Sequence, residues 1–292
     1  MNSRDADQTN SKLPDLPVRP RNSHKGDYGR AFLLGGSAGM PGAIGLAGMA
    51  CLRSGAGLVT LAVSSDVINT VASYSPNYMT LGWSMEGESV AATSLAAIRE
   101  KVSGSSAVAI GPGLGRGNEN RNNELLECVD GAEAPVILDA DGLNLLARTR
   151  PGRPLGGNFL LTPHPGELAR LLPGEEGDRG HLARHAAEVY EAAILFKGAR
   201  TLVTAPGGAL HYNTTGNPGM ATGGQGDLLT GLLAALAAQG LSLVEAARAG
   251  AWLTGRAAEL ALAEGGQSEE SLLPTDVAAF LGAAFRALRE EA

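Results

Sequence analysis

AFLLGGSAGMPGAIGLAGMACLRSGAGLVTLAV, residues 31–63, decides how this chain folds. AFLLGG (31–36) is a short apolar run with the composition of a strand. PGAIGLAGMACLRSG (41–55) reads as a helix, with Pro41 near its start and Gly55 at its end. LVTLAV (58–63) is the next strand. Outward from this stretch the alternation continues. SDVINTVASY and residues 89–102 read as helices. AVAIG (107–111) and PVILDA (135–140) are strands of the buried type, with the helix ENRNNELLECVD between them. NFLLTP (158–163) is another strand. A helix at about 180–192 precedes ILFK, TLVTA and ALHY, and the last third is helical at 226–239, 243–264 and 275–290. Strands apolar on both faces, alternating with helices, predict an α/β fold with a mostly parallel sheet.

The chain has 292 residues, 44% of them hydrophobic and 18% charged, so it can bury a sizeable core. No composition break or internal repeat divides it. One domain from residue 23 to 292 is expected, after a loose, polar, proline-containing tail at 1–22. The net charge of −7 argues against a general nucleic-acid binder. No run is long and apolar enough to span a membrane, and the N-terminus lacks the apolar core of a signal peptide. Cys51 and Cys128 fit no zinc or redox spacing, which suits buried thiols in a reducing cytoplasm.

The chemistry is expected in glycine-rich turns at strand ends. GGSAGMPGAIG (35–45) could cradle a phosphate or sugar through backbone N–H groups, but it does not fit GxGxxG and reads equally as a tight turn. GPGLGRG (111–117) is either a ligand turn or a plain loop. DADGLN (139–144) ends a strand with Asp139 and Asp141, and Asp141 is expected to cap the next helix. In TPHPGE (162–167) two prolines flank His164, and Glu167 follows in the first helical turn. That pattern is either a cap or a ligand contact. KGART (197–201) sets a cation between two strands, where Lys197 could neutralise a phosphate. NPGMATGGQGDLLTG (217–231) is the most specific. A bare helix cap needs no glycine cluster, whereas a carboxylate beside a nest of N–H groups suits phosphoryl transfer to a hydroxyl. Asp227 is therefore read as a general base. No GxxxxGK[ST] is present, which excludes a P-loop enzyme.

In order, HKGDYGR, LLGGS, PGA, LRSGAGLVTLAV, GPGLG, LDADGLN, LTPHPGEL, KGART and NPGMATGGQGD resemble the ADP/ATP-dependent NAD(P)H-hydrate dehydratases, from residue 23 to about 260. The resemblance implies a ribokinase-like three-layer α/β/α sandwich. It implies dehydration of the S epimer of NADH hydrate or NADPH hydrate, with ADP or ATP as phosphoryl donor and Mg2+ as cofactor. Carried over by position, Ala43, Gly113, His164 and Asp227 would contact the hydrate. Lys197, Gly198, Ala199, Arg200, Thr201, Gly224 and Gly226 would hold the nucleotide. Glu167 would meet magnesium through water. The resemblance further implies a cytoplasmic homotetramer and a separate epimerase for the R epimer. Met40 and Gln225 depart from the family's usual residues. The alternative is a vitamin-precursor or sugar kinase of the same superfamily.

Overall fold

A computed structural model describes residues 12–115 and 118–291. The strands are β1 (Arg30–Leu34), β2 (Leu58–Ser64), β3 (Met79–Trp83), β4 (Met85–Glu86), β5 (Ser89–Val90), β6 (Ala107–Ile110), β7 (Val136–Leu138), β8 (Phe159–Leu161), β9 (Ala193–Phe196), β10 (Leu202–Thr204) and β11 (His211–Tyr212). The helices are α1 (Pro41–Arg53), α2 (Ile68–Tyr74), α3 (Ala92–Ser103), α4 (Glu119–Glu127), α5 (Asp141–Thr149), α6 (Pro165–Leu171), α7 (Arg179–Tyr190), α8 (Gln225–Ala238), α9 (Leu243–Glu264) and α10 (Pro274–Glu291).

Nine strands form one sheet in the order β11-β10-β9-β8-β7-β6-β1-β2-β3. Neighbours are parallel from β9 through β3, and β10 and β11 add antiparallel at one edge. Side chains alternate between the faces, so one strand feeds two cores. Ala31 and Leu33 of β1 join a core with α1, α8, α9 and α10, while Phe32 and Leu34 join a second core with α3 to α7. The result is a three-layer α/β/α sandwich.

α8 is the innermost helix, with every residue from Leu228 to Ala238 buried. It crosses α1 tightly. A Cβ on Gly231 would overlap the Ala47 carbonyl. This burial fixes where the first turn of α8, and Asp227 with it, meets the sheet.

Three local expectations change. The helix expected from residue 89 starts at Ala92, because Ser89–Val90 pairs back on Met85–Glu86 across a turn at Gly87 (φ +66) and the Val90 N–H donates to Glu124. β3 carries no strand reading in the sequence. Part of the expected tail, residues 1–11, lies outside the described residues. Residues 12–22 lack regular structure except a short turn, yet Leu13 and Leu16 pack on the core. Arg289 donates to the Pro17 carbonyl, and Arg19 to the Gly55 carbonyl and the Gln239 side-chain oxygen.

Candidate active site

β1, β6, β7, β8 and β9 all point the same way, so the turns that follow them gather on one edge of the sheet. In such sheets ligands bind where strand order reverses. Here that place is between β1 and β6, since β2 and β3 extend one way and β6 the other. The turns after these two strands interlock. The Gly36 N–H donates to Pro112 O at 2.9 Å, and Ser37 Oγ donates to Gly113 O at 3.0 Å. Gly113 has φ +63, and a Cβ there would lie 2.5 Å from Met40 O and 3.1 Å from Ala43 Cβ. Ala43 and Gly113 are thus neighbours. Arg116 and Gly117, the end of GPGLGRG, lie outside the described residues.

The ends of β7, β8 and β9 carry charge instead. Asp139 is 1% exposed. Its Oδ1 accepts from Lys197 Nζ at 2.6 Å and from Thr162 Oγ1 at 2.7 Å, and its Oδ2 accepts from Thr230 Oγ1 at 2.6 Å. Glu167 Oε2 lies 3.8 Å from Lys197 Nζ. Burial alone would raise the Asp139 pKa, but Lys197 and these hydrogen bonds hold it below its ordinary value. Burial opposes the charge on Lys197, and Asp139 and Glu167 outweigh it, so the ammonium's pKa is raised. Burial, reinforced by Asp139 against Lys197, raises Glu167.

Asp227 sits above this pair. α8 opens at Gly224 (φ +96) with no side-chain cap, and Asp227 is its third residue, so it is not the cap. A Cβ on Gly226 would lie 3.4 Å from Lys197 Nζ and 3.7 Å from Asp139 Oδ2, which places the ion pair directly under the first turn. Burial first, then Asp139 and Asp141 against Lys197, lift the Asp227 pKa from 3.8 to about 6. A carboxylate in that range is ionised at neutral pH and still basic enough to take a proton. The unpaired N–H groups of the same turn face any anion placed there.

His164, Glu167 and Asp141 lie on the turns next to this centre. His164 and Glu167 form a reciprocal cap on α6, with Gly166 N–H donating to His164 Nδ1 and His164 N–H donating to Glu167 Oε2. The His164 imidazole remains half exposed. Asp141 is not the cap of α5. Ala140 occupies that position at φ +48, ψ −119, a conformation that strains any residue with a Cβ. The turn aims Asp139 inward and lets Asp141 Oδ2 accept from Gly115 N–H at 2.9 Å. Asp141 therefore joins the uncharged turns to the charged cluster.

Thr162 and Thr230 carry no role in the sequence reading. Thr230 follows Asp227 by three residues, the spacing that puts two side chains on one helix face. An open groove of about 630 Å3 beside α4 and α5 and a cavity of about 180 Å3 beside β11 and α9 contain none of these residues. The site is marked by charge and turn geometry at the edge of the sheet.

The architecture is ribokinase-like: ribokinase of Thermotoga maritima shares it with a TM-score of 0.54 at 14% identity, covering 87% of this chain and 99% of that one. Within that fold, the family model described as NAD(P)H-hydrate dehydratase matches residues 31–281, and the chain belongs to this family. It is 41% identical to the bifunctional NAD(P)H-hydrate repair enzyme Nnr of Moorella thermoacetica, over 94% of this chain and 53% of that protein. The chain thus spans about half the length of such bifunctional relatives. It is 37% identical to the ADP-dependent (S)-NAD(P)H-hydrate dehydratase of Neisseria meningitidis, over 87% of this chain and 84% of the relative. A Bacillus subtilis ADP/ATP-dependent NAD(P)H-hydrate dehydratase, co-crystallised with ATP/Mg2+, superposes with a TM-score of 0.77 at 32% identity, covering 94% of both chains.

Proposed function

We propose that this chain dehydrates the S epimer of NADH hydrate or NADPH hydrate with ADP or ATP as phosphoryl donor, regenerating NADH or NADPH. The observation that carries the reading is Asp227, its pKa raised to about 6 in the first turn of α8, the turn whose Gly226 packs against Lys197.

Asp227 takes the proton of the ring hydroxyl as its oxygen bonds to the terminal phosphorus. The bond to the shortened nucleotide breaks, and AMP leaves when ADP is the donor. The N–H groups around Gly224 and Gly226 take up the charge that builds on the transferring group. Phosphate then departs with the carbon–oxygen electron pair. Loss of a proton from the neighbouring carbon restores the ring double bond. Water is a poor leaving group and a phosphate ester a good one, which is the reason for using a nucleotide at all.

The interlocked turns at Ala43 and Gly113 hold the hydrate, with His164 at its edge. Residues 197–201 hold the nucleotide through their backbone. Lys197 serves differently from a free phosphate ligand, since its ammonium is tied to Asp139 at 2.6 Å. It steadies the negative cluster and moderates Asp227. The residues also fit Mg2+ carried by the nucleotide. Glu167 Oε2 already accepts from the His164 N–H, so Glu167 would meet the ion through water rather than directly. Among the described residues no group of three His, Cys, Asp or Glu forms a metal cage. Bound there, magnesium would draw charge from the phosphate oxygens.

A cytoplasmic homotetramer, and an epimerase supplying the S epimer, belong to the same reading. No described helix is long and apolar enough to cross a membrane. The test is direct: NADH hydrate, magnesium and ADP or ATP are mixed with the protein, and reduced-nicotinamide absorbance is followed with phosphorus NMR. One reduced cofactor, one free phosphate and one shortened nucleotide per turnover are expected. A lasting phosphate ester without free phosphate would instead make the chain a kinase.

A further inference from the structure

The first residue of α7 is Arg179, where the helix dipole disfavours a cation. Such a local conflict needs a compensating contact. Arg179 Nη1 donates to Ala199 O at 2.8 Å, and Nη2 donates to Phe196 O and Lys197 O, both at 3.2 Å. The guanidinium also stacks 4.6 Å from the Phe196 ring centroid. One side chain thus gathers three carbonyls, one at the end of β9 and two in the segment after it.

That segment has a shape it would not hold unaided. Gly198 has φ +143 and Arg200 φ +56. A Cβ on Gly198 would come 2.9 Å from Arg179 Nη1, so the glycine makes room for the guanidinium. The far end is fixed separately, by Asn213 N–H donating to Thr201 O at 2.8 Å. Between these anchors the backbone is irregular.

We propose that Arg179 is the positioning residue that shapes residues 197–201 for the nucleotide. This rests on the nucleotide reading of that loop. Arg179 acts through backbone, by drawing three carbonyls toward itself and so fixing which peptide groups face outward. The planar fork is required, because a lysine ammonium cannot span the three oxygens.

The test compares the wild type with Arg179→Met, Arg179→Lys and Gly198→Ala. Amide hydrogen exchange of residues 197–201 is measured without ligand. ADP and NADH hydrate affinities are then measured separately by calorimetry. The Met variant should speed loop exchange and weaken ADP binding about 10- to 100-fold, as expected for hydrogen bonds to a charged group. Hydrate affinity should stay within about twofold. The Lys variant should recover little, and Gly198→Ala should behave like the Met variant by displacing the guanidinium. Unchanged loop exchange would overturn the anchoring role. Faster exchange with unchanged ADP affinity would overturn the nucleotide assignment of the loop itself, a distinguishable result. Equal loss for both ligands together with a lowered melting temperature would reduce Arg179 to a general structural residue.

Discussion

The turns after β1 and β6 and the turns after β7, β8 and β9 share one edge of the sheet, yet their chemistry differs. Residues 35–43 and 111–115 contain no ionisable side chain. They meet through one backbone hydrogen bond, 2.9 Å from Gly36 N–H to Pro112 O, and one from the Ser37 hydroxyl to Gly113 O at 3.0 Å. The other side gathers Asp139, Glu167 and Asp227 around the Lys197 ammonium. The first region can recognise a ligand by shape but has nothing to move a proton. The second can move a proton but would be unstable without its internal pairing. One should therefore be sensitive to added volume and the other to changed charge.

The largest effect should come from Asp227→Asn. General-base loss lowers the rate about 10²–10⁴-fold. The same change should stabilise the fold. The folded pKa of Asp227 lies above its unfolded value, so between 3.8 and about 6 the folded state binds more protons and this group's contribution to stability falls as pH rises. Asparagine carries no charge to bury, and the gain at pH 7 reaches about 3 kcal/mol at most. Urea melts at pH 4 and pH 7 check this: the variant's advantage should appear only at the higher pH. Lost stability instead would mean that Asp227 supports the helix.

Next is Lys197→Met, which leaves Asp139 buried without its cation. Breaking a buried pair costs about 3 kcal/mol. Adding Asp139→Asn to the same chain should recover part of that, because the orphaned charge is gone. Denaturation of the two single variants and the double variant measures the coupling. Full additivity would mean that the 2.6 Å contact does not hold the two together.

The smallest effect is expected on the uncharged side. Gly113→Ala puts a methyl group 2.5 Å from Met40 O at φ +63. A loss of about 1–2 kcal/mol is expected, felt as a weaker hydrate KM with the nucleotide KM unchanged. Equal changes in both KM values would erase the division between the two regions.

These differences bear on what could be seen in the sequence. The glycine turns were legible because turn chemistry is local, and α9 matches its expected ends at 243 and 264 because period, cap and stop agree. Asp227 stood out because glycines crowd its N-terminal side. The partner of Lys197 was not legible, since Asp139 is 58 residues away and only the sheet brings them together. For the same reason the Asp141 side chain looked like a cap, although it bonds Gly115, 26 residues earlier. Two-residue strands such as β4 and β5 exist only because a turn and Glu124 hold them, which no periodicity of that length can signal.

The central claim is that burial, helped by Asp139 and Asp141, raises Asp227 into the range of a working base. The most direct measurement is kcat/KM against pH, from 5 to 8, for the wild type and Asp227→Asn with NADH hydrate and ADP. The wild-type rate should fall below about pH 6 as Asp227 takes up a proton, and the small residual rate of the variant should lack that limb. A variant that keeps the wild-type rate, or shows the same limb near pH 6, would contradict the account and move the base elsewhere.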